Sequence, residues 1–112
     1  MSDKELIVYS RTAPCPDCET ARRVLDENGV RYTEIMIDLD LDARVRLENL
    51  TGFHAVPTLV VARPGELGPV TDPRPLAAGR SPRGVDRGPL ITEPVAAGLK
   101  HWLAAHGFIT PK

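Results

Sequence analysis

The chain contains two cysteines, Cys15 and Cys18, which lie three positions apart with Pro16 between them in the stretch APCPDCETARRVL. This CxxC spacing is typical of a redox dithiol, whose thiols exchange electrons with a disulfide, and it also occurs as half of a zinc site. A structural zinc normally takes four ligands, and a second pair is missing because His101 and His106 would lie about 140° apart around a helix. The redox interpretation is favoured. A metal site and two inert buried cysteines stay open as alternatives.

The two thiols are expected to have different roles if Cys15 caps the helix that follows. With Pro16 as the first helical residue, the free backbone N–H groups of the first turn can point at the Cys15 sulfur. These donors and the positive end of the helix dipole favour the thiolate and lower the pKa of Cys15 from a free value of about 8.5. Cys18, one turn into the helix, is more enclosed and can attack a mixed disulfide on Cys15. Arg11 would add a nearby positive charge and Asp17 a negative one.

The overall composition directs attention to these cysteines, because it supports few other functions. Charged residues make up 26% of the 112 residues, the net charge is −1 and aromatic residues make up 4%, which argues against nucleic acid and membrane partners. No run approaches the roughly 18 apolar residues of a membrane span. The first residues do not resemble a basic, apolar export signal, so a cytoplasmic location is expected. That compartment keeps thiols reduced, which disfavours a permanent structural disulfide.

The elements that must position the cysteines alternate between strand and helix in the first half of the chain. Hydrophobic periodicity and turn residues predict the following strands and helices: strands over Leu6–Ser10, Arg31–Asp40 and Thr58–Ala62, and helices from Cys15 to about Glu27, over Asp42–Gly52 and from about Glu93 to His106. This order predicts an α/β fold with right-handed crossovers and parallel strands covered by helices. Sites in such sheets gather where a strand's carboxyl end meets the next helix, which is where Cys15 lies.

Helical spacing also predicts which side chains of each helix face the core. The inward-facing residues are expected to be Ala21, Val24 and Leu25 in the first helix, Val45, Leu47 and Leu50 in the second, and Val95, Leu99, Trp102 and Leu103 in the last.

The segment Pro64–Pro94 differs in composition, with seven prolines, five glycines and several arginines. It is long for a connection inside a compact domain, so it is expected to be functional or poorly ordered. Either GPVTD or GPLIT is expected to form a last edge strand. We therefore predict one domain over residues 1–112, with an inserted Pro/Gly/Arg-rich loop at about residues 64–92.

Two motifs, LIVYSRTAPCPDC and GFHAVPTLVV, resemble the glutaredoxins and glutaredoxin-like redoxins of the thioredoxin superfamily over Glu5–Ala62. The resemblance implies a three-layer, thioredoxin-like fold with a central mixed four-stranded sheet flanked by helices. It also implies a cis peptide bond at Val56–Pro57 facing the dithiol, and a Val56 backbone that pairs with an extended substrate segment. An ordinary trans proline that opens a strand is the alternative.

The resemblance further implies a thiol–disulfide oxidoreductase that reduces protein or small-molecule disulfides. Cys15 and Cys18 would be catalytic, and a glutathione system or a flavin-dependent reductase would recycle them. No metal and no bound cofactor is expected, and glutathione is a candidate co-substrate. The residues expected to contact substrate are Arg11, Pro16, Val56, Pro57, Thr92 and Glu93, the last two at the start of the final helix, where they would grip the γ-glutamyl end of glutathione.

The sequence departs from the family pattern in three places. Asp17 stands where glutaredoxins usually carry an aromatic residue, Arg11 stands where a lysine is frequent, and no adjacent Gly-Gly pair follows the third strand. Two other function classes stay open. The first is an iron–sulfur or metal carrier, against which Pro16 argues by stiffening the loop around the thiolates. The second is a non-catalytic binding module in which the segment Pro64–Pro94 docks a partner.

Overall fold

The computed structural model describes residues 4–110 of the chain. Within that range the elements, in chain order, are β1 (Glu5–Ser10), α1 (Pro16–Glu27), β2 (Thr33–Met36), α2 (Leu41–Thr51), β3 (Thr58–Ala62), β4 (Leu90–Thr92) and α3 (Ala96–Ala105). The strands form one sheet in the order β2-β1-β3-β4. β1 is parallel to β2 and antiparallel to β3, and β4 is antiparallel to β3. This mixed four-stranded sheet with three helices confirms the predicted thioredoxin-like fold.

The sheet carries helices on both faces, which explains why its strands are apolar without alternation. Residues Leu6 and Val8 of β1 pack with α1 and α3, whereas their neighbours Ile7 and Tyr9 pack with α2. The two cysteines belong to the α2 side of the core. All three predicted core residues of α1 are buried.

The two remaining helices differ in part from their predicted core faces. Leu47 of α2 is buried, but Val45 is 48% exposed, so its predicted inward position is wrong. Val95 is likewise exposed because it is the N-cap of α3 and not a residue of its buried stripe. The core residues of α3 are Leu99, Trp102 and Leu103.

Three element boundaries also differ from the sequence prediction. β2 ends at Met36 because the carbonyl group of Met36 accepts hydrogen bonds from Leu39 and Asp40, which turn the chain toward α2. The last edge strand is formed by GPLIT, so residues 90–92 belong to the sheet and not to the inserted loop. Helix α3 begins at Ala96 and not near Glu93, because Glu93 has a φ of 47°, outside the helical region.

The connection between β3 and β4, Arg63–Pro89, contains no helix and no strand apart from isolated bridges. It is nevertheless tied to the rest of the domain near both of its ends. Val70 donates its backbone N–H to the Val61 carbonyl group at 2.8 Å, and the Tyr9 hydroxyl donates to the Leu67 carbonyl group at 2.8 Å. At the far end, Trp102 Nε1 donates to the Gly88 carbonyl group at 2.9 Å. Both ends of the connection are therefore held against the fold.

Candidate redox site

Cys15 is the N-cap of α1, as predicted, and Pro16 is the first residue of the helix. The Cys15 sulfur accepts a hydrogen bond from the backbone N–H of Cys18 at 3.2 Å. The two sulfur atoms are joined in a disulfide, 2.19 Å apart. Cys15 is 6% exposed and Cys18 is 1% exposed. The first thiol of the pair is thus both the more accessible one and the one that faces an amide donor, which is the arrangement that favours a reactive thiolate.

The loop before Cys15 is held by Asp38, a residue that the sequence analysis did not single out. Its carboxylate accepts hydrogen bonds from the Thr12 backbone N–H at 3.0 Å, the Thr12 hydroxyl at 2.7 Å and the Ala13 N–H at 3.1 Å. These bonds, with the Thr12 hydroxyl as the largest contribution, lower the pKa of Asp38. Asp38 follows β2, and its position beside the end of β1 is the signal that could have identified it, since parallel strands end at the same edge of a sheet.

Arg11 also supports this loop. Its guanidinium group donates two hydrogen bonds to the Pro14 carbonyl group, from Nη2 at 2.7 Å and from Nε at 3.3 Å. The predicted positive charge therefore lies against the residue that precedes Cys15. Its proposed contact with substrate stays a prediction.

The peptide bond between Val56 and Pro57 is cis. The Val56 carbonyl oxygen lies 3.9 Å from the Cys15 sulfur, so the cis-proline loop faces the dithiol as the resemblance implied. Within residues 4–110, neither the N–H nor the C=O of Val56 forms a hydrogen bond with the protein backbone. The carbonyl oxygen of Pro57 accepts a hydrogen bond from the backbone N–H of Glu93 at 2.7 Å, which holds the cis-proline loop against the residue that follows β4.

Thr92 and Glu93 occupy different environments, and neither lies in the last helix. Thr92 ends β4, and its hydroxyl is buried in a 2.9 Å hydrogen bond with the Thr58 hydroxyl. Glu93 follows it, and its carboxylate lies nearer the surface, with 23% of the side chain exposed. The structure therefore brings Glu93, but not the Thr92 hydroxyl, to the surface near the cis-proline loop.

Arg83 connects Glu93 to Asp17 of the CPDC turn. Its Nη1 donates hydrogen bonds to the carboxylates of Asp17, at 2.8 Å, and Glu93. The hydrogen bond with Asp17 and the charges of both carboxylates raise the pKa of Arg83. A continuous set of contacts thus runs from Asp17 through Arg83 and Glu93 to Pro57. Sequence spacing could not reveal it, because 66 positions separate Arg83 from Asp17.

Two further observations concern the part of the chain that the structure describes. No group of three or more His, Cys, Asp or Glu side chains in it could hold a metal ion. No helix in residues 4–110 is long and apolar enough to cross a membrane.

A family model described as Glutaredoxin matches residues 6–63, which is 58 of the 112 residues. The chain belongs to the glutaredoxin family. The match includes the CPDC turn, the cis-proline loop and all of β3, which are the parts that hold the dithiol. Membership of the glutaredoxin family and the paired cysteines fit a redox activity. A search of curated proteins found no match.

The glutaredoxin match ends at residue 63, where the long connection begins. Arg83 and Glu93 therefore lie outside the matched region, although Arg83 contacts Asp17 of α1 and Glu93 contacts Arg83. The site combines a glutaredoxin dithiol with contacts supplied by the second half of the chain.

Proposed function

We propose that this protein is a thiol–disulfide oxidoreductase that reduces disulfides of proteins or small molecules by a dithiol mechanism. The observation that carries the proposal is the position of Cys15. Its sulfur caps α1, accepts the Cys18 N–H at 3.2 Å and is bonded to the Cys18 sulfur, all within a domain of the glutaredoxin family.

The reaction begins with the reduced pair. The Cys15 thiolate attacks one sulfur of the substrate disulfide, forming a mixed disulfide on Cys15, and the other substrate sulfur leaves as a thiolate that takes up a proton. Cys18 then loses its proton and attacks the Cys15 sulfur, releasing the second substrate thiol. Two electrons pass from the cysteine pair to the substrate, and the protein ends with the Cys15–Cys18 disulfide.

The cis-proline loop supports a role in binding the substrate chain. Val56 leaves its backbone N–H and C=O without partners in the protein backbone, and its carbonyl oxygen lies beside Cys15. An extended substrate segment can pair with these groups as an added strand would. Pro57 has no N–H to present to the thiolates.

The cycle closes when a reductant converts the Cys15–Cys18 disulfide back to two thiols. We propose that glutathione, as a co-substrate, or a flavin-dependent reductase supplies the two electrons. We also propose the cytoplasm as the place of action, since that compartment keeps thiols reduced. A paired turnover assay distinguishes the donors: glutathione with its reductase in one reaction, and a thioredoxin-reductase system in the other.

The two cysteine variants test the assigned roles. We expect Cys15→Ser to abolish reduction of insulin or of a small disulfide, because no mixed disulfide can form. We expect Cys18→Ser to accumulate the mixed disulfide on Cys15, detected by mass spectrometry as the added mass of one substrate half. Equal residual activity in both variants would refute these roles.

A further inference from the structure

The connection between β3 and β4 contains a pocket of about 310 Å³ that is separate from the dithiol site. Three arginines, Arg74, Arg80 and Arg87, line it, together with Asp86 and apolar side chains that include Leu76 and Val85. Its volume is at the lower end of the range of small-molecule sites. None of its lining residues belongs to the matched glutaredoxin region.

Arg87 is the unusual member of this pocket because it is only 9% exposed. Its Nε donates to the Arg74 carbonyl group at 2.6 Å. Its Nη1 is buried, yet none of residues 4–110 accepts a hydrogen bond from it. Buried donors are nearly always paired, and a buried cation without a counter-charge is costly. Arg87, which lines the pocket, therefore carries a buried cationic donor for which residues 4–110 offer no acceptor.

The other charges of the pocket do not supply that acceptor. Asp86 is bound to Arg74, whose Nη2 lies 3.2 Å from the Asp86 carboxylate oxygen. The side chain of Arg80 forms no hydrogen bond or ion pair with any residue that the structure describes, and it is exposed. Three guanidinium groups and one carboxylate give the pocket a net charge of +2.

We propose that Arg74, Arg80 and Arg87 bind a phosphate-type dianion, either inorganic phosphate or the phosphate group of a small molecule. The charge of such an anion balances that of the pocket, and its oxygens can accept hydrogen bonds from the guanidinium groups that line it, including that of the exposed Arg80. Guanidinium groups match phosphate oxygens because their N–H donors form a planar fork. The site is independent of the dithiol chemistry, so its failure leaves the proposed function untouched.

Isothermal titration of the oxidised full chain with inorganic phosphate, at low ionic strength, tests the proposal. Arg80→Gln removes one donor of the pocket from an exposed position, and Arg44→Gln is the matched control, since Arg44 is an exposed arginine of α2 that does not line the pocket. We expect saturable binding by the unaltered chain and by R44Q, and binding at least about tenfold weaker by R80Q. Thermal unfolding should also shift upward with phosphate, and at one phosphate concentration by less in R80Q than in the other two proteins.

Two further titrations distinguish the source of the anion. Phenyl phosphate should bind more tightly than inorganic phosphate if the apolar wall of Leu76 and Val85 serves an organic group, and less tightly if the ligand is phosphate itself. Succinate, a dianion without phosphate oxygens, should bind more weakly than either.

The conservative variant Arg87→Lys is a second test of the site. Because Arg87 is buried, the folding of R87K must be checked. The fluorescence of Trp102 reports it, since Trp102 Nε1 donates to the carbonyl group of the adjacent Gly88. A folded R87K that binds phosphate less well supports the site. The proposal is overturned if the unaltered chain shows no saturable binding by about 10 mM phosphate. It is also overturned if R80Q binds phosphate as tightly as R44Q does, or if succinate binds as tightly as phosphate.

Discussion

At the scale of single residues, the two cysteines have identical side chains, and their different surroundings are what makes their expected reactivities differ. Cys15 lies at the helix terminus, where the first-turn amide of Cys18 points at its sulfur. Cys18 lies inside the first turn and is almost fully buried. A thiol that is accessible and faced by amide donors reacts faster than an enclosed one.

We therefore predict that Cys15 is alkylated before Cys18 when the reduced protein meets a limiting amount of iodoacetamide at neutral pH. Peptide mass spectrometry of the singly labelled product measures the ratio. The same reaction in concentrated urea is the control, because unfolding removes the difference in surroundings and both cysteines should label alike. Preferential labelling of Cys18 in the folded protein would contradict the assignment.

Asp38 is the residue that orders the loop in front of the dithiol, and its effect on stability should depend on pH. Its hydrogen bonds with Thr12 and Ala13 lower its pKa in the folded state. The charged form is thus favoured by folding, so its contribution is fully present above the unfolded pKa of about 3.9 and is lost as the pH falls through the lower folded pKa. We predict that Asp38→Asn lowers Tm at pH 7.

The dependence on pH and a second variant make this prediction specific. The difference in Tm between Asp38→Asn and the unaltered chain should shrink as the pH falls below about 3.9 toward the lower folded-state pKa, because the unfolded chain takes up the proton first. Asp72→Asn removes an exposed carboxylate of the long connection and is the control. A Tm difference for D38N that stays constant between pH 7 and about 2 would show that the carboxylate charge is not the cause.

At the scale of elements, the sequence predicted best where a boundary depends on adjacent residues. Pro16 and the N-cap cysteine mark the start of α1, and Gly52, with a φ of 81°, marks the end of α2. Helix α3 was predicted to begin too early, because Glu93 has a φ of 47°, and its N–H is bonded to the distant Pro57 carbonyl group, a contact that no local pattern contains. Val45 was predicted inward because spacing identifies an apolar face but not whether another element covers it.

The same reasoning explains which parts of the site could be predicted. Cys15, Cys18 and the Val56–Pro57 bond belong to short motifs, so their placement followed from the sequence. Asp38 and Arg83 act through partners that are 26 and 66 positions away, respectively, and are brought close only by the completed fold. The end of a parallel neighbouring strand is a signal for Asp38, but no periodicity or motif encodes the contact between Arg83 and Asp17.

Helix α2 offers a test of its observed orientation. Leu47 is fully buried against the sheet, whereas Val45 on the same helix is about half exposed. We predict that Leu47→Ala destabilises the protein by about 2–5 kcal/mol, the usual cost of a cavity in a packed core. Val45→Ala is the matched control and should cost less than about 1 kcal/mol. Urea denaturation of the oxidised proteins measures both. Similar losses from the two substitutions would mean that α2 packs with another face.

At the scale of the whole molecule, the long connection is part of the compact body. The radius of gyration is 12.9 Å, which matches the value of about 13 Å expected for a folded domain of this length. Arg83 brings this connection to helix α1 through Asp17 and to the cis-proline loop through Glu93. The second half of the chain thus determines the charge beside a dithiol that the first half positions.

This arrangement predicts how Arg83 affects substrate choice. Arg83→Gln leaves the carboxylates of Asp17 and Glu93 without their cation, so the surface beside Cys15 becomes more negative. We expect kcat/KM to fall several-fold for a disulfide with negatively charged groups and to change little for the uncharged hydroxyethyl disulfide. The loss should diminish at high ionic strength because salt screens exposed charges.

The double variant Asp17→Asn with Arg83→Gln separates charge from structure. If Arg83→Gln acts through charge, removing one of the two uncompensated carboxylates should restore part of the rate with the anionic disulfide. If it acts by disturbing the connection, the second substitution should not restore the rate. Tm should change little in either variant, since exposed ion pairs contribute little to stability. Equal losses with charged and uncharged disulfides would show that Arg83 acts by holding the connection in place and not through its charge.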